Sequence, residues 1–282
     1  MDVLRVMWAA RRSQGLVLHT VGAQAFVAGA MRRLAPRLGP DHLVVSDFLC
    51  PASAQYLAAQ RWALGGVDRW ACIRTGDIAW LHEHFLVPSA RTSFIHFPSA
   101  GSTSDFGDPL PFALPASFVY ASGQAHRDWD TLVAALRIAP VAAVISVPDA
   151  VANGVAATLP DRVTVLPLVA PHHGRALALR ASVVVVALKD THLPAGPLVL
   201  VDALAAGAAI VATDANGSRD YVVAGSTASV VPAGDAPALA RAIQDLMSDP
   251  QRRSELGRNA RTWANLNLRV DRFVQQVLGL AR

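Results

Sequence analysis

The stretch best suited to chemistry is a polar loop between two buried apolar runs. Residues 189–196 read Lys-Asp-Thr-His-Leu-Pro-Ala-Gly, follow the apolar run 182–188 and lead into a helix predicted over 197–206. Gly196 can supply an unusual backbone, and Pro197 suits the first helical position, where its missing N–H costs nothing. The helix start at Ala195, Gly196, Pro197 and Leu198 offers free amides and a dipole that favour a phosphate group. It also follows the carboxyl end of a strand, where open parallel sheets place their ligands. Asp202 stands in the second turn of this helix, inside an otherwise apolar run. A buried carboxylate is costly without donors. The two hydroxyls of a ribose would supply them, and so would backbone amides or an Arg.

Other clusters carry weaker chemistry. His172-His173 has no ligand partners at metal spacing and reads as the start of a helix. His82 and His84 flank Glu83 on a polar helical stretch with no fourth donor nearby. No Gly-x-Ser-x-Gly, P-loop or Gly-x-Gly-x-x-Gly occurs, which argues against hydrolase, NTPase and dehydrogenase chemistry. The six Trp show no stacking pattern for nucleic acid.

Composition narrows the field further. Of 282 residues 52% are apolar and 16% charged, with mean hydropathy +0.33. The nearest approach to a membrane span, 132–159, is broken by Arg137, Pro140, Pro148, Asp149 and Asn153, and the N-terminus lacks a signal pattern. Two cysteines, Cys50 and Cys72, are too few for a disulfide framework. These features predict a cytoplasmic protein. Lys189 is the one Lys among 25 basic residues, and Glu83 and Glu255 are the two Glu among 21 acids. Residues 1–100 carry ten Arg against six acids, so the net charge of +4 belongs to the first third, where it reads either as a scattered solvated surface or as a face for an anionic partner or membrane surface.

The elements that must position these groups follow from hydrophobic periodicity. Apolar runs at 118–121, 141–146, 163–168, 182–188, 208–212 and 228–231 read as strands buried on both faces, hence a parallel sheet. They alternate with helices predicted at 127–137, 172–180, 197–206 and 236–247, followed by 250–265 and 268–280. The first third is less regular. It has strands predicted at 16–19, 43–46, 71–74 and 93–96, with helices at 23–38 and 52–64. A Pro-, Gly- and Ser-rich linker covers 97–115. The expected organisation is an α/β chain of two lobes, residues 1–112 reduced and residues 113–282 complete.

The run Pro194-Ala195-Gly196-Pro197-Leu198 through Asp202 to Gly207 resembles the donor-binding core of the retaining family-4 glycosyltransferases of the GT-B fold. The order continues with Asn216-Gly217-Ser218-Arg219-Asp220, then Pro232-Ala233-Gly234-Asp235, then a helix holding Leu256-Gly257-Arg258-Asn259. The resemblance covers about 117–282 well and the first third loosely. It implies two Rossmann-like lobes, with a nucleotide-sugar donor on the C-terminal lobe and a glycan, lipid or small-molecule acceptor on the N-terminal one.

The family marks its site with Glu-x7-Glu. Asp202 falls on the second acid, which grips the ribose, and Pro194 replaces the first; Asp190 or His192 could substitute. A Gly-Arg and a Lys that face the diphosphate become Gly123-Gln124 and Arg127, whose planar fork suits phosphate oxygens. The competing reading pairs Arg127 with Asp128 or Asp130. Where the family carries an N-lobe His, the strand end 44–51 offers Asp47 as an acid or acceptor-orienting residue, or as a simple turn Asp.

The resemblance thus implies a metal-independent glycosyltransferase without a cofactor, the nucleotide-sugar being substrate. Arg127, Asp47 and Asp190 are its candidate catalytic residues. Gly123, Gln124, Arg127, Ala195, Gly196, Pro197, Leu198 and Asp202 are its candidate donor contacts. Two alternatives are a degenerate, non-catalytic binder and a sugar-nucleotide epimerase. Leu4, Met7, Trp8, Arg11 and Arg12 form a basic amphipathic edge suited to peripheral membrane contact.

Overall fold

The computed structural model describes residues 3–19, 22–48, 51–99, 110, 112–149, 152, 154, 159–191 and 197–282. Ala195 and Gly196, with His192 and Pro194, lie outside the described residues, as does most of the predicted linker. The chain forms two compact units, Met1–His96 with Asp271–Arg282, and Phe97–Val270.

The first unit holds a parallel sheet in the order β1-β2-β3-β4, comprising β1 Gly15–His19, β2 His42–Ser46, β3 Arg69–Cys72 and β4 Thr92–Phe94. Its helices are α1 Val3–Ala9, α2 Gln24–Leu34, α3 Leu57–Leu64 and α4 Thr75–Phe85. The helix expected over 23–38 stops at Leu34, because Pro36 cannot continue it; Pro36–Leu38 becomes a short 3-10 turn. Phe48 anchors the core here, edge-on to Phe26, Trp70 and Phe85.

The second unit holds a six-stranded parallel sheet in the order β10-β9-β8-β5-β6-β7. Its strands are β5 Val119–Ser122, β6 Ala143–Val147, β7 Val163–Pro167, β8 Val183–Val186, β9 Ile210–Asp214 and β10 Ser229–Pro232. Every residue of β5, β6 and β8 is buried, as all-apolar strands covered on both faces must be. The covering helices are α5 Trp129–Ile138, α6 Pro171–Arg180, α7 Leu198–Ala206, α8 Ala236–Ser248 and α9 Pro250–Asn267. Three of them begin on an Asp side chain that accepts from the backbone amide three residues on, Asp128 from Thr131, Asp235 from Ala238 and Asp249 from Arg252. Each such cap is worth about 1 kcal/mol.

The last helix, α10 Val270–Gly279, differs from expectation. The boundary read from sequence keeps it with the C-terminal lobe, whereas the structure returns all but its first residue to the first unit. Val277 and Ala281 bury against Val44, Ala71 and Ile95 there. An amphipathic helix docks wherever a complementary apolar face is open, and periodicity cannot say which sheet provides one. No helix among the described residues is long and apolar enough to cross a membrane.

Candidate functional site

In the second unit the chain leaves β5 outward to β6 and β7, then crosses back to β8 on the other side of β5. That reversal creates a crevice beyond the carboxyl ends of β5 and β8, where doubly wound sheets bind ligands. A cavity of about 420 Å³ lies against it, lined by the loop after β5, the starts of α6 and α7, and Tyr120 at the heart of the sheet.

The loop after β5 is shaped around one side chain. Gly123 has φ +132, and a Cβ there would lie 2.7 Å from Arg127 Cζ and nearer still to Nε. Glycine therefore provides both the backbone conformation and the room for the guanidinium. The loop is laced to the end of β8, with Lys189 N donating to His126 O at 3.0 Å and Asp128 N to Ala187 O at 3.0 Å. Arg127 is buried, and its Nε donates to Ser122 O at 2.9 Å. Its Nη1 is buried without a hydrogen-bond partner, and burial lowers its pKa to about 10. A buried donor left unanswered costs stability, so this guanidinium is set for something the protein itself does not supply.

The ion pair weighed against phosphate contact does not form. Asp128 caps α5, accepting from Thr131 N at 3.2 Å and Thr131 Oγ1 at 2.7 Å. Asp130 is exposed and faces Lys189 Nζ at 3.8 Å. These two acids form an Asp-x-Asp triplet, whose first member the helix start occupies.

Asp202 reaches the opposite wall from α7, an almost wholly buried helix. It accepts from Ser99 Oγ at 2.8 Å and lies 3.9 Å from Arg175 Nη1. Burial pushes its carboxyl pKa up; Ser99 and then Arg175 oppose that rise. Arg175 projects from α6, and its Nε too is buried without a hydrogen-bond partner. Gly174 brings α6 close to the Tyr120 hydroxyl, whose pKa burial pushes up to about 12. The cavity thus combines two guanidiniums, one carboxylate, the N-terminal ends of α6 and α7, and apolar walls from Leu168, Val169, Ala178, Leu198 and Val199. That combination fits a flat apolar ring joined to a sugar and an anionic tail.

Gly123, Gln124, Arg127, Leu198 and Asp202 all line this one cavity. Pro197 caps α7 beside it. Asp190 is elsewhere: it is exposed, bound by Arg219 Nη2 at 2.8 Å and accepting from Asn216 N at 3.0 Å, in a network that includes Asp214. Asp47 belongs to the first unit. It sits at φ +54 after β2 and accepts from Arg74 Nη2 at 3.2 Å, while the fully buried Arg74 also holds Asp77. Burial pushes the Asp47 pKa up; Arg74 and His19 draw it down. His82 and His84 turn to the backbone carbonyls of Val87 and Trp80.

Sequence reasoning missed Arg175, Ser99 and Tyr120. Nothing local separates Arg175 from Arg180 on the same helix; packing alone brings one of them to the cavity.

Residues 155–263 match the family model of glycosyl transferases group 1. No curated protein matches the chain in sequence. Among solved structures, Anabaena HepE with UDP and glucose is similar over 98% of this chain and 80% of its own, at 17% identity and TM-score 0.75. A Rickettsia africae glycosyltransferase is similar over 94% and 76%, at 11% identity and TM-score 0.74. Sucrose-phosphate synthase from Thermosynechococcus elongatus covers 94% and 72%, at 21% identity and TM-score 0.72. The fold is therefore the GT-B arrangement of two Rossmann-like α/β lobes.

Proposed function

We propose that this protein is a glycosyltransferase that moves a sugar from a nucleotide-sugar donor to a glycan, lipid or small-molecule acceptor, with retention and without a metal. The observation that carries the reading is the cavity at the β5/β8 crevice, where Arg127 holds a buried, unanswered guanidinium N–H opposite Asp202. The group 1 match and the likeness to HepE, solved with UDP and glucose, support the same reading.

In this reading Asp202 takes the ribose hydroxyls and the apolar wall takes the base. Arg127 and the start of α7 take the diphosphate. Transfer then rests on positioning and on charge stabilisation of the departing diphosphate as the sugar acquires oxocarbenium character. A fixed cation in a dry site is already oriented when charge develops, so a metal is not needed for that step. Asp47, held by Arg74, is the candidate for orienting an acceptor hydroxyl. Asp190 serves by bracing the Asn216 turn. We place the activity in the cytoplasm, where nucleotide-sugars would reach the donor lobe.

The test is thermal stabilisation by UDP-, GDP- and ADP-sugars, followed by transfer and donor-hydrolysis assays on the donor that binds. A donor that stabilises the native protein and turns over, with turnover lost in Arg127→Ala and Asp202→Ala, supports the reading. The absence of a shift with every donor refutes it. A binding-only protein is the second reading, favoured because Ser99 already occupies an oxygen of Asp202; donor binding without any turnover would select it.

A further inference from the structure

The first unit carries a second surface feature, independent of the donor cavity. Residues 3–40 contain six Arg and no Asp or Glu. One of the six, Arg32, pairs with Asp68. Arg5, Arg12, Arg33 and Arg37 are exposed. Large apolar side chains stand out among them. Leu4 and Trp8 on α1 are each 54% exposed, Leu34 at the end of α2 is 76% exposed, and Leu38 and Trp62 are also exposed. Met7, expected on the same edge, is instead fully buried; it fastens α1 to the core.

These groups form one face. Helix α1 packs on α2 and α2 on α3. The Arg33 guanidinium lies 5.2 Å from the centroid of the Trp62 ring, tying α2 to α3, and that of Arg11 lies 3.8 Å from the centroid of the Trp8 ring. Stacking on an indole holds each arginine beside an apolar group at one level of the surface. A soluble face gains nothing by exposing Leu34, Leu38, Leu4 and two Trp together.

We infer that this face docks on an anionic lipid bilayer. The exposed Arg33 and Arg37, set beside exposed apolar side chains, match a negative headgroup layer, and Trp prefers the depth where headgroup meets acyl chain. Leu4, Leu34 and Leu38 decide between anionic partners. They gain nothing against a polyphosphate backbone but enter the hydrocarbon boundary as an interfacial helix face does. Docking would hold the first unit against the membrane whether or not a sugar is transferred.

The experiment uses the full chain without donor, so it stands or falls apart from the glycosyltransferase reading. Co-sedimentation is measured with vesicles of phosphatidylcholine alone and with roughly one-third phosphatidylglycerol, at low salt and at about 0.5 M salt. The protein is expected to bind the anionic vesicles, to ignore the neutral ones and to weaken with salt. The double variant Arg33→Glu/Arg37→Glu should lower the partition coefficient by about ten-fold or more. Trp8→Ser/Leu34→Ser should remove the part of binding that survives salt, while the control Arg241→Glu, exposed on α8, should bind as wild type. Circular dichroism and melting temperature confirm that each variant is folded. Equal binding to both vesicle types overturns the inference, and so does undiminished binding by the Arg33/Arg37 variant. A dimer abolished by the same substitutions, with no vesicle binding, also overturns it by assigning the face to a second copy of this chain.

Discussion

Replacing Arg127 by Met should make the ligand-free protein more stable and leave it unable to hold a donor. Burial lowers the pKa of this arginine well below its ordinary value, to about 10. At about 1.4 kcal/mol per tenfold change in proton affinity, keeping it charged costs about 3 kcal/mol. The unfolded chain holds this proton more tightly than the native state does. The cost is therefore present in full at every pH below about 10 and fades only as pH rises above that toward the ordinary arginine value. Assays near neutral pH thus lie on a plateau. Against the cost stands the hydrogen bond from Nε to Ser122 O, worth about 1.5–2 kcal/mol for a charged donor. Met fills similar space with no polar atom, so the net gain is about 1–2 kcal/mol, or about 2–6 °C in melting temperature. Loss of two or more charge-assisted contacts to a diphosphate should weaken donor binding by roughly 30- to 1,000-fold. Differential scanning fluorimetry with and without donor reads both effects on one sample. An Arg127→Met protein that melts below wild type would refute the argument, because the guanidinium would then be a structural strut and not a group kept for a ligand.

Three further outcomes follow from the same geometry. Gly123→Ala forces a Cβ into the Arg127 guanidinium at a backbone angle alanine avoids; it should cost about 1–3 kcal/mol in chemical denaturation and abolish donor-dependent stabilisation. Because burial pushes the Asp202 pKa up, its native form holds a proton more tightly than the unfolded chain. Apo stability from this group therefore rises as pH falls through its folded pKa, while donor affinity falls over the same range. Ser99→Ala removes a hydrogen bond to the carboxylate and should move the midpoint of that affinity loss to higher pH, measured by titration calorimetry across acidic buffers. Burial also pushes the Cys72 thiol up, so in a Cys50→Ser background a thiol reagent should find no reactive group in the native protein and one after denaturation.

The parallel sheet of the second unit was legible because strands buried on both faces must be apolar throughout. All six of the runs read from sequence became strands. The start of α7 and the burial of Asp202 were legible for a related reason, since a proline at a helix start and a lone acid in an apolar run are local contradictions with few physical resolutions. Arg127 was placed by resemblance, and the cost of placing it became visible only in the structure. Its isolation depends on Asp128 being committed to a helix cap and on a glycine four residues earlier leaving it room. Asp190 was misdirected by its position in a chemically rich loop; its actual partner, Arg219, arrives from beyond β9.

The sequence by itself determined the six strands of the second unit and the helices between them, because burial and capping act over neighbouring residues, whereas helices α1 and α4 of the first unit carry no local pattern that it predicts. Tertiary structure alone decided which arginine of α6 meets Asp202, which unit receives α10, and where Ser99 donates. Those contacts join residues far apart in the chain, and their free energies depend on packing distances that no local pattern encodes.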